Sequence, residues 1–200
     1  YVGIGTIIVC TGASNMSGRG TNNQSYSHAT LKAGNFKNNY TWAELTDPYD
    51  SYTGQLDAVS RDQTPDAAGS FIMHLATDFM AYYGYPIAFV PCAKGGSAAE
   101  GWDDVGVNRS TLFGSMAYRL QQVGGAELCL FMTNGANIPS FESSMRTIAA
   151  ALPTYGCGHL MIMSGPSSSG FTTANRRTTW RAQQSRLSST ETNIAIGSLL

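Results

Sequence analysis

Residues 7–20 read IIVCTGASNMSGRG, an apolar run that ends in a glycine-bounded turn with a serine just beyond it. The run from Ile4 to Cys10 has the length and composition of a buried β-strand, and Gly12 marks its end. Open α/β sheets form their ligand crevices at the carboxyl ends of such strands. Ser14 is therefore predicted to present its hydroxyl at that edge, either as a nucleophile or as the N-cap of the next helix.

Four further apolar runs repeat this pattern along the chain. Together with the first run they predict five strands, over Ile4–Cys10, Pro86–Cys92, Glu127–Met132, His159–Ser164 and Asn193–Ile196. Apolar residues at helical spacing predict helices over Ala68–Tyr83, Leu112–Val123, Phe141–Leu152 and Thr173–Ser188. Alternating strands and helices indicate βαβ units and a mostly parallel sheet. The polar segment Thr21–Asp66 has little periodicity and is interpreted as an excursion over the active-site face.

The composition favours one folded domain over the 200 residues, with 42% hydrophobic residues and a net charge of −1. Nucleic-acid binding is not expected, because the chain has no run of Lys and Arg. No membrane span is expected either, since no apolar run approaches the ~20 residues that a span requires. The chain opens at Tyr1, and we interpret it as a processed or excised piece.

The four cysteines do not have the spacing of a zinc site, and neither a metal nor a cofactor is predicted. Three of them fall within or at the ends of apolar runs, which favours buried free thiols over disulfides.

Glycine-rich turns follow the first three predicted strands, at Gly12–Ser14, Ala93–Ser97 and Thr133–Asn137. In a parallel sheet these turns share one edge and can converge. They would supply a hydroxyl, an open backbone N–H and a side-chain amide, the groups that acyl transfer requires. Each turn taken alone also suits a structural role, with a glycine permitting a tight turn or Asn137 acting as a turn residue.

Several blocks of the sequence resemble the sialate O-acetylesterase-like carbohydrate esterases, a branch of the SGNH hydrolases. Residues Gly12–Gly20 are similar to the branch's first block, G-Q-S-N-M-x-G-R-G, and Trp42–Pro48 to its Trp…Asp-Pro stretch. Residues Gly84–Val90, followed by Ala93–Ser97 and Trp102, are similar to the second block. Asn134–Asn137 falls where the third block is expected, so the resemblance extends over essentially the whole chain.

The resemblance implies a three-layer α/β/α sandwich around a five-stranded parallel sheet of flavodoxin-like order. It implies removal of O-acetyl groups from a carbohydrate through an acyl-serine intermediate on Ser14. The expected oxyanion donors are the Gly96 N–H (alternatively Gly95), the Asn137 amide and the Ser14 N–H. Asn15, Gly95 and Trp102 are expected to contact the substrate. Two departures from the family pattern, Ala13 and Ala136, affect the surroundings of these groups.

The main departure from the family pattern concerns the general base, because the family's D-x-x-H block does not occur in the chain. His28 is predicted at the surface of the polar segment, His74 on a helix and His159 at the amino end of a strand, and none is assigned as the base. One hypothesis places an Asp and a His, three residues apart, beyond Leu200. The other is a non-catalytic domain that binds glycans in a crevice lined by Trp102, Tyr26 or Tyr40.

Nucleotide binding is the least favoured hypothesis. The chain contains neither the dinucleotide-binding pattern G-x-G-x-x-G after the first strand nor the phosphate-loop pattern GxxxxGK[ST]. The G-x-S-x-G elbow of α/β-hydrolases is absent as well. A polar, lysine-poor surface suits a secreted or virion-associated protein, which is the expected localisation.

Overall fold

The computed structural model describes residues 5–62, 69–133, 138–164 and 174–197. The strands in these ranges are β1 (Thr6–Gly12), β2 (Gly34–Phe36), β3 (Trp42–Glu44), β4 (Ile87–Pro91), β5 (Ala126–Thr133), β6 (Cys157–Ser164) and β7 (Ile194–Ile196). The helices are α1 (Ser14–Ser17), α2 (Ile72–Tyr83), α3 (Leu112–Val123), α4 (Ile138–Ala151) and α5 (Ala174–Thr190). Single 3-10 turns lie at Ala58–Ser60, Ala99–Trp102 and Leu152–Tyr155.

The strands form one sheet in the order β3-β2-β4-β1-β5-β6-β7. Every neighbouring pair is parallel except β2 and β3, which are antiparallel. The five strands predicted from the apolar runs are β1, β4, β5, β6 and β7. Numbered among themselves they have the order 2-1-3-4-5, which is the flavodoxin-like order. The predicted α/β fold with a parallel central sheet is confirmed.

The predicted count of five strands is wrong, because β2 and β3 extend the sheet beside β4. Both lie within the polar segment Thr21–Asp66 and are only three residues long. Backbone pairing with β4, and the contact of the Phe36 and Trp42 rings at 5.1 Å, hold them at the edge. So short a pair has no run of alternating apolar residues from which it could be predicted.

Alternating side chains of the strands point to two cores, one on each face of the sheet. On one face Ile8 and Cys10 belong to a cluster with the buried residues of α1 and α2, such as Met16 and Met80. On the other face Val9 belongs to a cluster with the buried residues of α3, α4 and α5. The three-layer sandwich is therefore confirmed.

The helices agree with their predictions apart from their ends. The ends of α3 are those predicted. α5 ends two residues beyond the predicted Ser188, and its predicted start at Thr173 lies outside the described residues. α4 begins three residues before Phe141 and passes into a 3-10 turn at Leu152, beside Pro153. α2 begins at Ile72, because residues 69–71 are not helical, and the predicted start at Ala68 lies outside the described residues.

The parallel strands end at one edge of the sheet, called here the carboxyl edge, and begin at the opposite amino edge. α1 follows the end of β1 and so lies at the carboxyl edge. α2 ends three residues before Pro86, which precedes β4, so the last turn of α2 lies at the amino edge. The first turn of α2 must then lie at the carboxyl edge, on the same side as α1.

All four cysteines are buried free thiols, as expected: Cys10, Cys92, Cys129 and Cys157. Burial raises the pKa of each thiol, to about 11 for Cys92. They therefore behave as small apolar residues of the core. Among the helices of the described residues, none has the length and hydropathy needed to cross a membrane.

Candidate active site

The turn that follows β1 fixes the position of Ser14. Gly12 has φ +105°, and a Cβ built on it would lie 2.1 Å from the Met132 carbonyl oxygen. Only glycine allows β1 to approach β5 so closely in this conformation. The Ala13 N–H then donates to that same oxygen at 2.6 Å, which attaches the turn to the end of β5.

Ser14 is the first residue of α1 and is half-buried. The N-cap position is held by Ala13, so the N-cap alternative for Ser14 is wrong. None of the hydrogen bonds within the described residues involves the Ser14 hydroxyl. The hydroxyl therefore has no capping role, which leaves it available for chemistry.

The second predicted turn is hydrogen-bonded directly to the first. The Lys94 N–H donates to the Gly12 carbonyl oxygen at 2.8 Å, and the Ser97 hydroxyl donates to the same oxygen at 3.1 Å. A bond from the Ser97 N–H to the Lys94 carbonyl oxygen closes the turn at 3.2 Å. Two of the three predicted turns are thus brought together at the carboxyl edge.

The two glycines of this second turn have different surroundings. Gly96 is exposed with φ +77°, and its N–H bonds to none of the described residues. Gly95 is enclosed, because a Cβ there would lie 2.9 Å from Asp62 Oδ1 and 3.1 Å from Arg19 Nη2. Gly96 therefore offers an open N–H, while Gly95 allows close packing behind it.

The third predicted turn cannot be placed, because Asn134–Asn137 lie outside the described residues. The strand that leads into it is in position, since Met132 of β5 is paired with Gly12 of β1. Asn137 as an oxyanion donor stays a prediction. Asn15, half-buried beside Ser14, also stays a predicted substrate contact.

The expectation that Trp102 contacts substrate is wrong for this structure. Its side chain is only 1% exposed and lies in the core, with its ring 6.0 Å from that of Phe131. Its indole N–H donates to the Ser97 hydroxyl at 3.0 Å. An indole so enclosed cannot stack on a sugar, and it supports the second turn from behind instead.

The two tyrosines considered for the glycan-binding alternative already make hydrogen bonds and ring contacts within the protein. The Tyr26 hydroxyl donates to Glu44 at 2.5 Å, and the Tyr40 ring stacks on Phe36. Tyr40 also hydrogen-bonds Asp57, and burial raises its pKa to about 12. Both side chains have structural contacts that account for their positions.

Asp62, which sequence reasoning missed, joins the parts of the site. Its carboxylate accepts hydrogen bonds from the Ser17 hydroxyl, at 2.9 Å, and from the Arg19 guanidinium. Burial alone would raise its pKa, but the bonds from Arg19 and Ser17 lower the pKa below its usual value. The ionised carboxylate therefore clamps the end of α1 against the Gly95 backbone.

A buried charged cluster lies behind the second turn. Arg119 is fully buried and donates to the Asn38 amide oxygen and to the Pro91 carbonyl oxygen at the end of β4. Asn38 also donates to Asp50 at 2.8 Å. Burial raises the pKa of Asp50 to about 6, although Asn38 and Arg119 oppose the rise. The cluster ties the polar segment to the carboxyl edge.

No local pattern in the sequence identifies Asp62, Asp50 or Arg119. Asp62 lies 43 residues from Arg19 along the chain, so their pairing is a tertiary contact. The one available signal was the length of the polar segment, which indicated a functional excursion and contains both aspartates.

The three histidines, none of which is assigned as the base from the sequence, lie in three different parts of the fold. His28 lies in the polar segment, where its Nδ1 accepts from the Leu31 N–H at 3.0 Å. His74 is exposed on the first turn of α2, and His159 is exposed near the amino end of β6. None of them hydrogen-bonds Ser14. Within the described ranges no group of three or more His, Cys, Asp or Glu residues could hold a metal ion.

Residues 5–132 match the family described as "Carbohydrate esterase, sialic acid-specific acetylesterase". A crystal structure of an Arabidopsis thaliana protein is similar, with a TM-score of 0.70 and 19% identity over 96% of this chain and 84% of that one. A carbohydrate acetylesterase from Xanthomonas citri has a TM-score of 0.62 and 14% identity over 96% of this chain and 49% of its own. No curated protein matches the sequence.

Proposed function

Because the chain belongs to the sialic acid-specific acetylesterase family of carbohydrate esterases, we propose that it removes O-acetyl groups from a carbohydrate with Ser14 as the nucleophile. In the first step Ser14 Oγ attacks the acetyl carbonyl carbon and gives up its proton to a base. The sugar oxygen leaves with a proton, and the acetyl group remains on Ser14. Water then attacks this ester, which releases acetate and restores the hydroxyl.

The observation that carries the proposal is the pair of hydrogen bonds that Lys94 and Ser97 make to the Gly12 carbonyl oxygen. These bonds support the proposal because they attach the turn that contains Gly96 to the turn that presents Ser14. A fixed N–H is worth most where charge develops on the carbonyl oxygen during attack. We assign this oxyanion role to Gly96, with the Asn137 amide and the Ser14 N–H as further donors.

The remaining predicted contacts complete the proposed site. Asn15 and Gly95 would contact the acetyl group or the sugar beside it. The base would be a histidine oriented by an aspartate, as in the family's D-x-x-H pattern. A secreted or virion-associated setting would bring such a site to its glycans, and it too remains a proposal.

One observation favours a second function, glycan binding without hydrolysis. Ser14 needs an imidazole to accept its proton, and His28, His74 and His159 make no hydrogen bond to it. A domain without a base would keep the crevice and bind the acetylated glycan unchanged. The two functions differ in a single measurable property, the release of acetate.

The test is hydrolysis of an acetyl ester by the intact protein, compared with Ser14→Ala. We expect the wild-type protein to release acetate and Ser14→Ala to be slower by a factor on the order of 10⁴ or more. Ser185→Ala, an exposed serine on α5, is the matched control and should retain full activity. Unchanged hydrolysis by Ser14→Ala would exclude the proposed nucleophile, while binding of the glycan without acetate release would favour the second function.

A further inference from the structure

A groove of about 290 Å³ opens at the carboxyl edge between the chain that follows α1 and the first turn of α2. Its walls include Asn22, Gln24, Ser70, Phe71 and His74. The volume is just below the usual range for ligand sites, about 300–1,000 Å³. It suits a single ring rather than a long chain of sugars.

The groove lies close to the end of α1, the helix that begins at Ser14, because its lining starts at Gly20, two residues after Gly18. Gly18, which ends α1, lies against Ser70, since a Cβ on Gly18 would be 3.0 Å from the Ser70 Cβ. The rise along α1 from Ser14 to Gly18 is about 6 Å. A substrate whose acetyl group lies at Ser14 could therefore place a neighbouring ring in the groove.

Backbone hydrogen bonds form the floor of the groove. Gly20 and Gly69 exchange N–H to carbonyl bonds of 2.9 and 3.3 Å. A Cβ on Gly69 would lie 2.0 Å from the Asn22 carbonyl oxygen, so only glycine allows the two segments to approach this closely. The floor is thus fixed before any ligand binds.

Asp47 holds the polar wall from behind. Its carboxylate accepts from the Gln24 N–H at 2.9 Å, the Ser70 N–H at 2.9 Å and the Ser70 hydroxyl at 2.8 Å. The Gln24 amide in turn donates to the Asn22 carbonyl oxygen at 3.0 Å. Side chains ordered in advance lose less entropy when they bind a ligand.

The lining has the chemistry of a site for an uncharged sugar. Amide and hydroxyl groups suit sugar hydroxyls, and the half-buried Phe71 ring offers an apolar face to the C–H groups of a sugar ring. Among the described residues that line the groove there is no Asp, Glu, Lys or Arg. The nearby Arg19 forms a salt bridge with Asp62, which neutralises its charge.

We propose that this groove binds a neutral sugar ring next to the acetylated position, and so selects neutral O-acetylated glycans. The inference rests on the proposed function for the reaction itself, but the binding does not depend on it. Phe71 would stack on the ring, and Gln24 would hydrogen-bond its hydroxyls.

The first experiment compares two esters on the wild-type protein, Phe71→Leu and Gln24→Ala. The esters are acetylated cellobiose and 4-nitrophenyl acetate, which is too small to reach the groove. We expect kcat/KM for acetylated cellobiose to fall about three- to tenfold in each variant, with kcat/KM for 4-nitrophenyl acetate unchanged. Phe71→Leu keeps an apolar side chain against the core, and Tyr82→Ala at the other end of α2 is the control.

Equal losses on both esters, or no loss on either, would overturn the subsite. A higher kcat/KM for 9-O-acetyl-N-acetylneuraminic acid, which carries a carboxylate, than for acetylated cellobiose would overturn the preference for neutral sugars. Titration of the wild-type protein with unacetylated cellobiose, followed by NMR, separates this inference from the proposed function. Shifts of the Gln24 and Phe71 amides support the subsite even if no ester is cleaved, and their absence would overturn it.

Discussion

Glycines with positive φ lie at both edges of the sheet, and they serve different purposes there. At the amino edge Gly84 and Gly124 end α2 and α3 in the left-handed conformation, with open space where a Cβ would be. At the carboxyl edge Gly12 combines positive φ with a backbone contact that leaves no room for a Cβ. Gly84 and Gly124 thus need only a local conformation, whereas Gly12 also needs the close approach of two strands.

The two edges also differ in the charged residues that they bury. At the carboxyl edge Asp50, Asp62 and Arg119 are buried and hydrogen-bonded to backbone or side chains around the two turns. At the amino edge the prominent feature is an exposed aromatic group, Tyr82, Tyr83 and Tyr85. Buried charge is costly to maintain, so its concentration at one edge marks the edge where backbone positions matter most.

The largest expected difference is in stability, between substitution of Gly12 at one edge and of Gly84 at the other. Gly12→Ala should lower the free energy of unfolding by about 2–5 kcal/mol, because the new Cβ meets the Met132 carbonyl and the φ is unfavourable. Gly84→Ala should cost only about 1–2 kcal/mol, since strain in φ is its sole effect. Urea denaturation of both variants measures the two values, and equal losses would remove this distinction between the two glycines.

Asp50 should give the carboxyl edge a characteristic dependence of stability on pH. Its folded pKa of about 6 lies above the unfolded value of about 3.9, so the folded state holds the proton more tightly. Its contribution to stability is therefore complete below pH ~4 and is lost as pH rises through 6, by about 3 kcal/mol.

Asp50→Asn tests this dependence, because it removes the titrating group while keeping the side-chain shape. The free energy of unfolding should then vary less between pH 4 and 7 than in the wild-type protein. Asp104→Asn, at an exposed position, is the control and should keep the wild-type slope. An unchanged slope in Asp50→Asn would show that this carboxyl is ionised throughout the range.

The smallest expected effect concerns the clamp formed by Asp62. Asp62→Asn should lower kcat for acetyl ester hydrolysis about tenfold. The neutral amide pairs less strongly with Arg19, so the end of α1 is held less firmly against the Gly95 backbone. KM should change little. Asp78→Asn, exposed near the middle of α2, should leave kcat unaltered. A rise in KM with constant kcat would instead assign Asp62 to substrate binding.

The fold could be predicted in large part because its signals are local. Apolar runs such as Ile4–Cys10 and the helical stripe of Leu112–Val123 specify strand and helix by periodicity alone. β2 and β3 could not be predicted, since they depend on pairing with β4 rather than on their own pattern. Whether such short edge strands form depends on the strand they pair with in the folded protein.

The site divides in the same way between local and tertiary information. Ser14 and an open N–H in the second turn could be proposed because a turn after a parallel strand has a known place in the fold, and the family resemblance assigned that N–H to Gly96. Trp102 was misjudged because its residue type suits both stacking on a sugar and burial, and only the structure shows its enclosure. Asp62 was missed because the residues it joins are distant in the sequence.

The most direct test of the account is to find where the acetyl group goes during turnover. The protein is mixed with an acetyl ester, quenched in acid within one turnover, digested and examined by mass spectrometry. The account predicts one acetyl group on the peptide that contains Ser14, and none on that peptide from Ser14→Ala. Acetate release with the acetyl group on another residue would contradict it.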